Sequence, residues 1–469
     1  MKNLYVVCVI VVAVLTVALR LYRVHEPIAD WHSFRQVDTA SVAQIFVRDG
    51  IDILHPRYHD LSNIQSGRDN PRGYRMVEMP LYQASAALLV RAMPFLSVDL
   101  SLRLITIFAS SMTAVILALI ASALISPLAG FSAGFLYAIL PYSVYYGRVV
   151  LAEPLAVFFA ILSIWLMLKA VRLKRNTAVF LLSAISASMS VLIKPTAGFL
   201  LLPLGGIILS RYGVSIASFV RGIVLAIIAI VPFLWWRNWI LQYPEGIPVF
   251  LWLLNDGNIR FKGAWFHWLF AERISKMILG YFGISFVGLG LVLKLDKKEK
   301  WVGPLLFFGS MLYLVIFAAG NVRHDYYQIL LLPVICLYAG KGIAYLFTNT
   351  HFSRLAVMIL LVVGIGFTTA FSWFTLRTFY WINRPEIIMA GMEADRILPK
   401  DAKVIAPYNG DTTFLYQINR QGWPLGFDIP MKIKMGATHY VTVSPTDTDG
   451  ETRALASDYT VLVRNNRYA

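Results

Sequence analysis

Long runs of apolar residues dominate the chain, and most extend over about 17 to 24 positions before polar residues interrupt them. Runs of this length match a helix that crosses the hydrocarbon core of a bilayer, whereas strands of a membrane barrel are about half as long and alternate in polarity. The chain is 58% hydrophobic and 14% charged, which excludes an ordinary soluble domain. We predict an all-α polytopic membrane protein with roughly eleven spans. The predicted spans lie near 4–22, 102–125, 128–147, 154–171, 177–193, 196–210, 219–236, 277–293, 302–319, 326–346 and 354–376.

The basic residues between these spans indicate an orientation, because Lys and Arg in short loops favour the cytoplasmic side. With a cytoplasmic N-terminus, the net charge of +16 is largely explained by contact with anionic lipid headgroups, and nucleic-acid binding is not expected. We therefore predict a multi-pass protein of the cell inner (plasma) membrane. The basic residues placed on the cytoplasmic side are Lys2, Lys169, Arg172, Lys174, Arg175, Arg211, Arg221, Lys294, Lys297, Lys298, Lys300, Lys341 and Arg354.

Three polar segments are predicted on the outer side: a first loop at 23–101, a second loop at 237–276 and a tail at 377–469. The apolar stretch 80–96 of the first loop is interpreted as an interfacial or re-entrant helix, because a charge and a proline interrupt it. We predict two domains, a membrane domain at 1–376 and the tail as a small extracytoplasmic α/β domain. The tail patterns are helical at 385–398 and β-rich at 403–406, 439–443 and 459–463.

Charged clusters from five parts of the chain fall on the predicted outer side, as expected of an active site. A carboxylate near the bilayer can take a proton from an acceptor hydroxyl, and Asp38 and Asp30 are the candidates in the first loop. A helix N-terminus explains Glu153 before Pro154 but not the nearby Arg148. The basic residues predicted to grip an anionic headgroup by charge-assisted hydrogen bonds are Lys194, Arg260, Lys262, Arg273, Arg323 and His324. For Lys194, which ends an apolar span, the alternative is an anchor whose side chain extends to the membrane interface.

No cofactor is predicted, although a divalent cation fits one group of side chains. Carboxylate oxygens are preferred ligands of hard cations. The four residues that could gather around such an ion are Asp30, His32, Asp38 and Glu153.

The order of the motifs resembles the integral membrane glycosyltransferases of the GT-C fold, in the branch of the protein O-mannosyltransferases and the lipid A aminoarabinose transferases. This chain departs from the family where Arg35-Gln36 stands in place of an Asp-Glu pair and where Met79 replaces a lysine. The matching stretches are Arg35 to Gly50, Glu78-Met79-Pro80-Leu81-Tyr82, Leu151 to Leu155, Lys194-Pro195, and Arg323 to Pro333 with Tyr326.

The resemblance implies a GT-C membrane domain that transfers one sugar from a polyprenyl-phosphate donor to a hydroxyl of a lipid, glycan or protein acceptor, by inverting displacement. It implies that Asp38 and Glu153 are the catalytic residues, with Asp30 as the alternative base. The residues assigned to substrate binding are Asp30, His32, Arg35, Glu78, Arg148, Lys194, Arg260, Arg323, His324 and Tyr326.

Two other functions remain open. A transporter or flippase of lipid-linked sugars is expected to carry polar or helix-breaking residues at the membrane midplane. The polar residues here lie at the ends of the spans, which favours an enzyme. A ligase of polysaccharide chains is also compatible with the sequence.

Overall fold

The computed structural model describes residues 2–172, 177–295, 300–444 and 450–469. The predicted cytoplasmic residues Lys174, Arg175, Lys297 and Lys298 lie outside these ranges. The chain divides into two units. The first, here called the helical unit, consists of Met1–Val24, Arg103–Arg237 and Phe250–Thr378, and the second, the loop-and-tail unit, consists of His25–Leu102, Asn238–Val249 and Phe379–Ala469.

The helical unit is built almost entirely from helices. Its α-helices are Lys2–Arg20, Val98–Leu124, Pro127–Ile139, Pro141–Tyr146, Glu153–Arg172, Thr177–Ile193, Leu202–Tyr212, Ile216–Ile240, Trp252–Asn255, Gly263–Phe266, Gly283–Val292, Gly303–Ile316, Ala318–Arg323, Leu332–Thr348 and Arg354–Leu376. Short 3-10 helices lie at Pro195–Leu201, Asp256–Phe261, Tyr327–Leu331 and Arg377–Tyr380, and a π-helical segment lies at His267–Ile278.

Within the described ranges, five helical stretches are long and apolar enough to cross a membrane, or six if one bent pair counts as a span. The bent pair is Gly263–Ile278 and Gly283–Val292, which meet at 114°. Four shorter apolar helices accompany them, so the predicted number of spans stays a prediction. The five stretches are Val98–Leu124, Glu153–Arg172, Ile216–Ile240, Tyr327–Thr348 and Arg354–Ile397.

Two predicted spans are interrupted in the structure. The span near 128–147 is divided into two helices because Pro141 cannot donate the backbone hydrogen bond that would continue the first one. The span near 196–210 begins instead as a 3-10 helix at Pro195–Leu201 and becomes α-helical only from Leu202. The second interruption leaves Lys194 at the N-terminal end of the 3-10 helix.

Close backbone approach holds two helices of this unit together. A Cβ atom added at Gly290 would lie 1.9 Å from the Tyr338 carbonyl oxygen, and one added at Gly342 would lie 2.2 Å from that of Phe286. Only glycine fits at these two positions, as in the small-residue interfaces that membrane helices use.

The loop-and-tail unit joins parts of the predicted first loop, a short piece of the second loop and the tail. A three-stranded parallel sheet, in the order Gly422–Trp423, Val404–Ile405, His439–Tyr440, lies at its centre. One apolar core packs beside this sheet, with buried Ile387, Phe414 and Val441 among its members. The helices of the unit are Ser33–Asp49, Leu81–Ala92, Pro385–Ile397, Thr413–Ile418, Ile429–Lys434 and Gly450–Asp458, and a 3-10 turn lies at Pro244–Gly246.

The sequence patterns of this unit are partly confirmed. The helix predicted at 385–398 and strands within 403–406 and 439–443 are present. The β-rich run at 459–463 forms no strand, and most of its residues are exposed. Its β-branched composition was misleading because strand formation needs a partner strand as well as suitable side chains.

Candidate functional site

A buried ion pair lies at two helix ends of the helical unit. Glu153 is the first residue of helix Glu153–Arg172, and its side chain is 1% exposed. The ammonium nitrogen of Lys194 lies 2.7 Å from Glu153 Oε1 and 5.8 Å from the centre of the Tyr327 ring. Both the positive end of the helix and the lysine stabilise the carboxylate charge. Lys194 therefore binds an acid inside the protein and does not extend towards solvent as a simple anchor.

A second polar group in the same unit surrounds Asp325. The Tyr146 hydroxyl donates to Asp325 Oδ1 at 2.5 Å, and the Tyr142 hydroxyl donates to the Asp325 carbonyl oxygen at 2.5 Å. Because the two tyrosines are four residues apart on helix Pro141–Tyr146, they lie on one face. The Arg273 guanidinium, 3.8 Å from Asp325 Oδ2, supplies a cation from the π-helical segment. Such π-helical turns are frequent at functional sites.

Arg323 and its neighbours occupy a more exposed position. Arg323 forms an ion pair with Asp256 in which the side chains are 53% and 46% exposed. Its guanidinium lies 5.3 Å from the centre of the Trp252 ring, and the His324 ring lies 5.5 Å from the same tryptophan. Tyr326 is buried, with its ring 5.3 Å from that of His324. The structure thus directs Arg323 outward and Asp325, two residues later, into the protein.

Two further predicted binding residues of the helical unit hold backbone carbonyls. Arg260 donates to the carbonyl oxygens of Ile316 at 3.0 Å and Leu254 at 3.3 Å. Arg148 is buried, donates to the Arg23 carbonyl oxygen at 2.9 Å and lies 5.5 Å from the centre of the Tyr145 ring. These contacts fix loop backbone near the helix ends.

Asp38 is the buried acid of the loop-and-tail unit. It lies on helix Ser33–Asp49, and its side chain is 3% exposed. Arg75 Nη2 lies 2.9 Å from Asp38 Oδ2, and the Thr412 hydroxyl donates to Oδ1 at 2.8 Å. The Arg75 guanidinium in turn lies 5.2 Å from the centre of the Tyr58 ring. A residue of the tail therefore holds a carboxylate of the first loop.

The other predicted residues of this loop form separate contacts. Gln36 donates to Asp30 Oδ1 at 2.7 Å, and Arg35 pairs with Glu78 at 2.8 Å. His32 precedes the helix in a left-handed conformation, with φ 55°. Asp30 and Asp38 thus have different partners, and helix Ser33–Asp49 has buried residues at successive positions from 36 to 43.

Two buried titratable residues of the same unit were missed by sequence reasoning. Burial raises the pKa of the Asp60 carboxyl to about 6, although the Ser62 amide donates to it at 2.8 Å. Burial lowers the pKa of His59 to about 3, and His59 Nδ1 lies 3.2 Å from the Ser41 hydroxyl. Nothing in the local sequence distinguishes His59-Asp60 from a solvated loop pair.

Three of the four side chains that could gather around a divalent cation, those of Asp30, Asp38 and Glu153, have other partners in the structure. Among the residues that the structure describes, no three His, Cys, Asp or Glu side chains gather in an arrangement that could hold a metal ion. Asp30 and Asp38 are instead held by an amide, a guanidinium and a hydroxyl, as described above.

Comparison with known proteins identifies the fold of the chain. Residues 82–236 match the family of dolichyl-phosphate-mannose-protein mannosyltransferases. The crystal structure of ArnT from Cupriavidus metallidurans bound to undecaprenyl phosphate aligns with a TM-score of 0.63 at 10% identity, over 100% of this chain and 97% of that chain. The chain has the GT-C fold. The family match and the structural match confirm the predicted resemblance to membrane glycosyltransferases with transmembrane helices.

Two oligosaccharyltransferase structures from Archaeoglobus fulgidus share the fold. AglB in complex with an inhibitory peptide and a dolichol-phosphate aligns with a TM-score of 0.63 at 10% identity, over 97% of this chain and 71% of that chain. The complex with Zn and sulfate aligns with a TM-score of 0.61 at 12% identity, over 96% and 69%. No curated protein is a significant relative by sequence.

The contacts within each unit agree with some of the sequence motifs and add residues that the motifs lack. The structure joins Glu153 with Lys194, and Arg35 with Glu78, all of which the motifs select. It adds Tyr146 and Arg75, which the motifs do not contain. Their partners lie far away in the chain, so no local pattern reveals them.

Proposed function

We propose that the chain transfers one sugar from a polyprenyl-phosphate donor to a hydroxyl of a lipid, glycan or protein acceptor. The observation that carries the proposal is the polar cluster of the helical unit, where Lys194 is buried beside Glu153 at a helix end and the partly buried Arg273 lies 3.8 Å from Asp325. A lipid donor brings its phosphate to the membrane interface, and charged groups are costly there unless they serve a partner. The solved GT-C structures bound to undecaprenyl phosphate and dolichol-phosphate support the same donor class.

Lys194 and Arg273 are proposed to bind the donor phosphate. Their present partners, Glu153 at 2.7 Å and Asp325 at 3.8 Å, occupy positions that phosphate oxygens would share. The arginine is suited to bidentate contacts and the lysine to a compact point charge. When the bond between the sugar and the phosphate breaks, both cations stabilise the charge that develops on the leaving phosphate. Arg323 and His324 remain proposed donor contacts at a more exposed position.

The acceptor proton needs a carboxylate. In the proposed inverting step, the acceptor oxygen attacks the anomeric carbon, its proton passes to the base, and the polyprenyl phosphate leaves. Asp38 is the proposed base, with Asp30 as its alternative. Glu153 is the proposed second catalytic residue, because its pairing with Lys194 links it to the phosphate contacts.

A labelled-donor assay tests the proposal. Proteoliposomes receive polyprenyl-phosphate sugars that carry a radiolabel in the sugar, together with a lipid extract as acceptor. We expect the label to appear in an acceptor product and an equal amount of polyprenyl phosphate to be released. Label that crosses the bilayer with the sugar–phosphate bond intact would identify a flippase. Transfer only from donors that carry a glycan chain would identify a polysaccharide ligase.

The sidedness of the reaction is a separate proposal. We propose that the N-terminus is cytoplasmic and that the tail at 377–469 is extracytoplasmic, as the distribution of basic residues favours. An alkaline phosphatase fusion after Ala469, which is active only outside the cytoplasm, should be active. Activity of a cytoplasmic reporter at the same position would reverse the orientation.

A further inference from the structure

An open polar cleft lies within the loop-and-tail unit, and no role has been assigned to it above. Its volume is about 470 Å³, within the range typical of small-molecule sites. One wall comes from the C-terminal part of helix Ser33–Asp49 and the other from loop residues. The side chains that give the cleft its polar character are Asp52, His55, Arg57, Arg72, Tyr74 and Gln421.

The charges around this cleft are balanced. Arg57 pairs with Asp49 at 3.1 Å, and Arg72 pairs with Glu245 at 2.6 Å. His55 Nδ1 lies 2.9 Å from Asp52 Oδ2. Each cation thus already has an acidic neighbour, so the cleft offers alternating donors and acceptors without a strong net field. That pattern suits hydroxyl groups, which both donate and accept, better than it suits a phosphate.

Aromatic contacts fix the polar groups in position. The Arg72 guanidinium lies 4.6 Å from the centre of the Tyr74 ring and 5.7 Å from that of Tyr243. His55 Nε2 lies 2.9 Å from the Tyr243 hydroxyl, and the His55 and Trp239 rings are 5.8 Å apart. Because rings and ion pairs hold these side chains, less conformational entropy is lost when a ligand binds.

One wall of the cleft is formed by two paired backbone segments, and one of these segments also contains Arg75, which pairs with Asp38. Arg57 and Tyr74 form an antiparallel bridge, and the Arg75 amide donates to the Pro56 carbonyl oxygen at 2.8 Å. Successive side chains of paired extended segments point to opposite sides. Arg57 and Tyr74 therefore line the cleft, whereas Arg75 contacts Asp38.

We propose that this cleft binds a neutral, hydroxyl-rich sugar unit of the acceptor. The assignment of this sugar to the acceptor rests on the proposed function, whereas the binding of a sugar in the cleft does not. A site built to hydrogen-bond hydroxyl groups discriminates against ligands that lack them, because its polar groups would otherwise lose their partners. The acceptor class is thereby narrowed from lipid, glycan or protein to a glycan or a glycan-bearing molecule.

Saturation-transfer NMR on the full chain in lipid nanodiscs tests the proposal. The probes are the methyl glycosides of glucose, galactose, mannose and arabinose, each offered alone. Wild-type protein should transfer saturation to at least one of them. Arg72→Gln and His55→Ala should each weaken that binding by roughly tenfold, the loss expected when one hydrogen bond to the ligand is removed. Inorganic phosphate at equal concentration should not displace the sugar.

Arg396→Gln is the matched control, because Arg396 also forms an exposed ion pair, with Glu393 at 2.6 Å, but does not line the cleft. This variant should bind like wild type. The proposal is overturned if none of the four glycosides binds, if Arg72→Gln and His55→Ala bind as well as the control, or if phosphate displaces the sugar. Binding without any sugar transfer would instead count against the proposed function alone.

Discussion

Each of the two units contains a buried carboxylate paired with a cation, and the two pairs differ in what else holds the acid. Asp38 uses one oxygen for Arg75 at 2.9 Å and the other for the Thr412 hydroxyl at 2.8 Å. Glu153 pairs with Lys194 at 2.7 Å through Oε1, whereas its Oε2 has no hydrogen-bond partner in the described part of the chain. The first acid is fixed from two directions, and the second is held mainly by one cation.

This difference suggests different tasks. A proton acceptor works best when its position is fixed before the substrate arrives. A cation that binds a phosphate must exchange its internal partner for the ligand, so a pair with a single strong contact is better suited to it. The exposed Arg323–Asp256 pair, with side chains 53% and 46% accessible, provides a third case in which water screens both charges.

The largest effect is expected at Asp38. Asp38→Asn keeps the shape and removes the proton acceptor, so turnover of the labelled donor should fall by roughly 10²–10⁴-fold with little change in expression. Asp30→Asn is the control, because Asp30 accepts a hydrogen bond from Gln36 at 2.7 Å and is the alternative base. If Asp30→Asn abolished transfer while Asp38→Asn remained near wild type, the base would be Asp30.

The next effect concerns the Glu153–Lys194 pair. Lys194→Met leaves a buried acid without its cation and should lower the free energy of unfolding by about 3–5 kcal/mol. Adding Glu153→Leu should recover most of that loss, because a buried pair can often be replaced by apolar residues, yet it should not restore transfer. Thermal unfolding in detergent and the labelled-donor assay measure the two effects.

Lys276→Met serves as the matched control for this comparison. Lys276 pairs with Glu272 at 2.8 Å in the same unit, but the two side chains are 36% and 28% exposed. Its loss should change the free energy of unfolding by no more than about 1 kcal/mol. A double variant that regained sugar transfer would show that neither Lys194 nor Glu153 serves the reaction.

The third effect extends the comparison to His59 and Asp60, two further buried titratable residues of the unit that contains Asp38. The pKa of His59 is lowered from 6.5 to about 3, so the folded protein takes up a proton at His59 less readily than the unfolded chain does. The free energy of unfolding therefore decreases as the pH falls from 6.5 towards 3. The pKa of Asp60 is raised from 3.8 to about 6, so the folded protein holds the proton of Asp60 more tightly than the unfolded chain does. The free energy of unfolding therefore decreases as the pH rises from 3.8 through 6. The two contributions oppose each other between pH 4 and 6.

Single variants separate these opposing contributions. His59→Asn should make the protein less sensitive to acid than wild type, and Asp60→Asn should make it more sensitive. Unfolding midpoints measured at pH 7 and pH 4.5 test this, with an upper limit of about 1.4 kcal/mol for each unit of pKa shift. Identical pH dependence in both variants and the wild type would mean that neither group titrates differently on unfolding.

The sequence could predict the helical fold and several members of the candidate site, since apolar length and helix-start prolines are local signals. Glu153 and Lys194 stand at helix ends, and both belong to stretches that carry the family resemblance, Leu151 to Leu155 and Lys194-Pro195. Their pairing was not predictable, because it depends on how separate helices pack. Arg75 and Thr412 were missed for the same reason: an arginine and a threonine in loops have no local pattern that identifies them as partners of Asp38.

A second limit is the direction of neighbouring side chains at helix ends. Arg323, His324 and Asp325 are consecutive in the sequence, and the first two were predicted to bind the same anionic headgroup. The helix Ala318–Arg323 ends within this stretch, so the chain turns there. Arg323 consequently faces Asp256 at the surface, and Asp325 accepts a hydrogen bond from Tyr146 inside the protein.

The smallest effect is expected at Arg323. Arg323→Gln removes one member of an exposed pair, so the free energy of unfolding should change by no more than about 1 kcal/mol. The KM for the donor should rise by less than roughly tenfold, since solvent already screens this charge. Lys194→Gln, assayed beside it with the same labelled donor, should have the larger effect on transfer.

Asp256→Asn separates the two possible roles of Arg323. It breaks the same ion pair but keeps the arginine, so donor KM should stay at the wild-type value or fall if Asp256 competes with a phosphate for the guanidinium. A loss of transfer in Arg323→Gln as large as that in Lys194→Gln, in protein that unfolds normally, would contradict the different roles proposed for the buried and the exposed cation. Arg323 would then leave Asp256 when the donor arrives, and exposure in the unliganded protein would not distinguish phosphate-binding cations from the others.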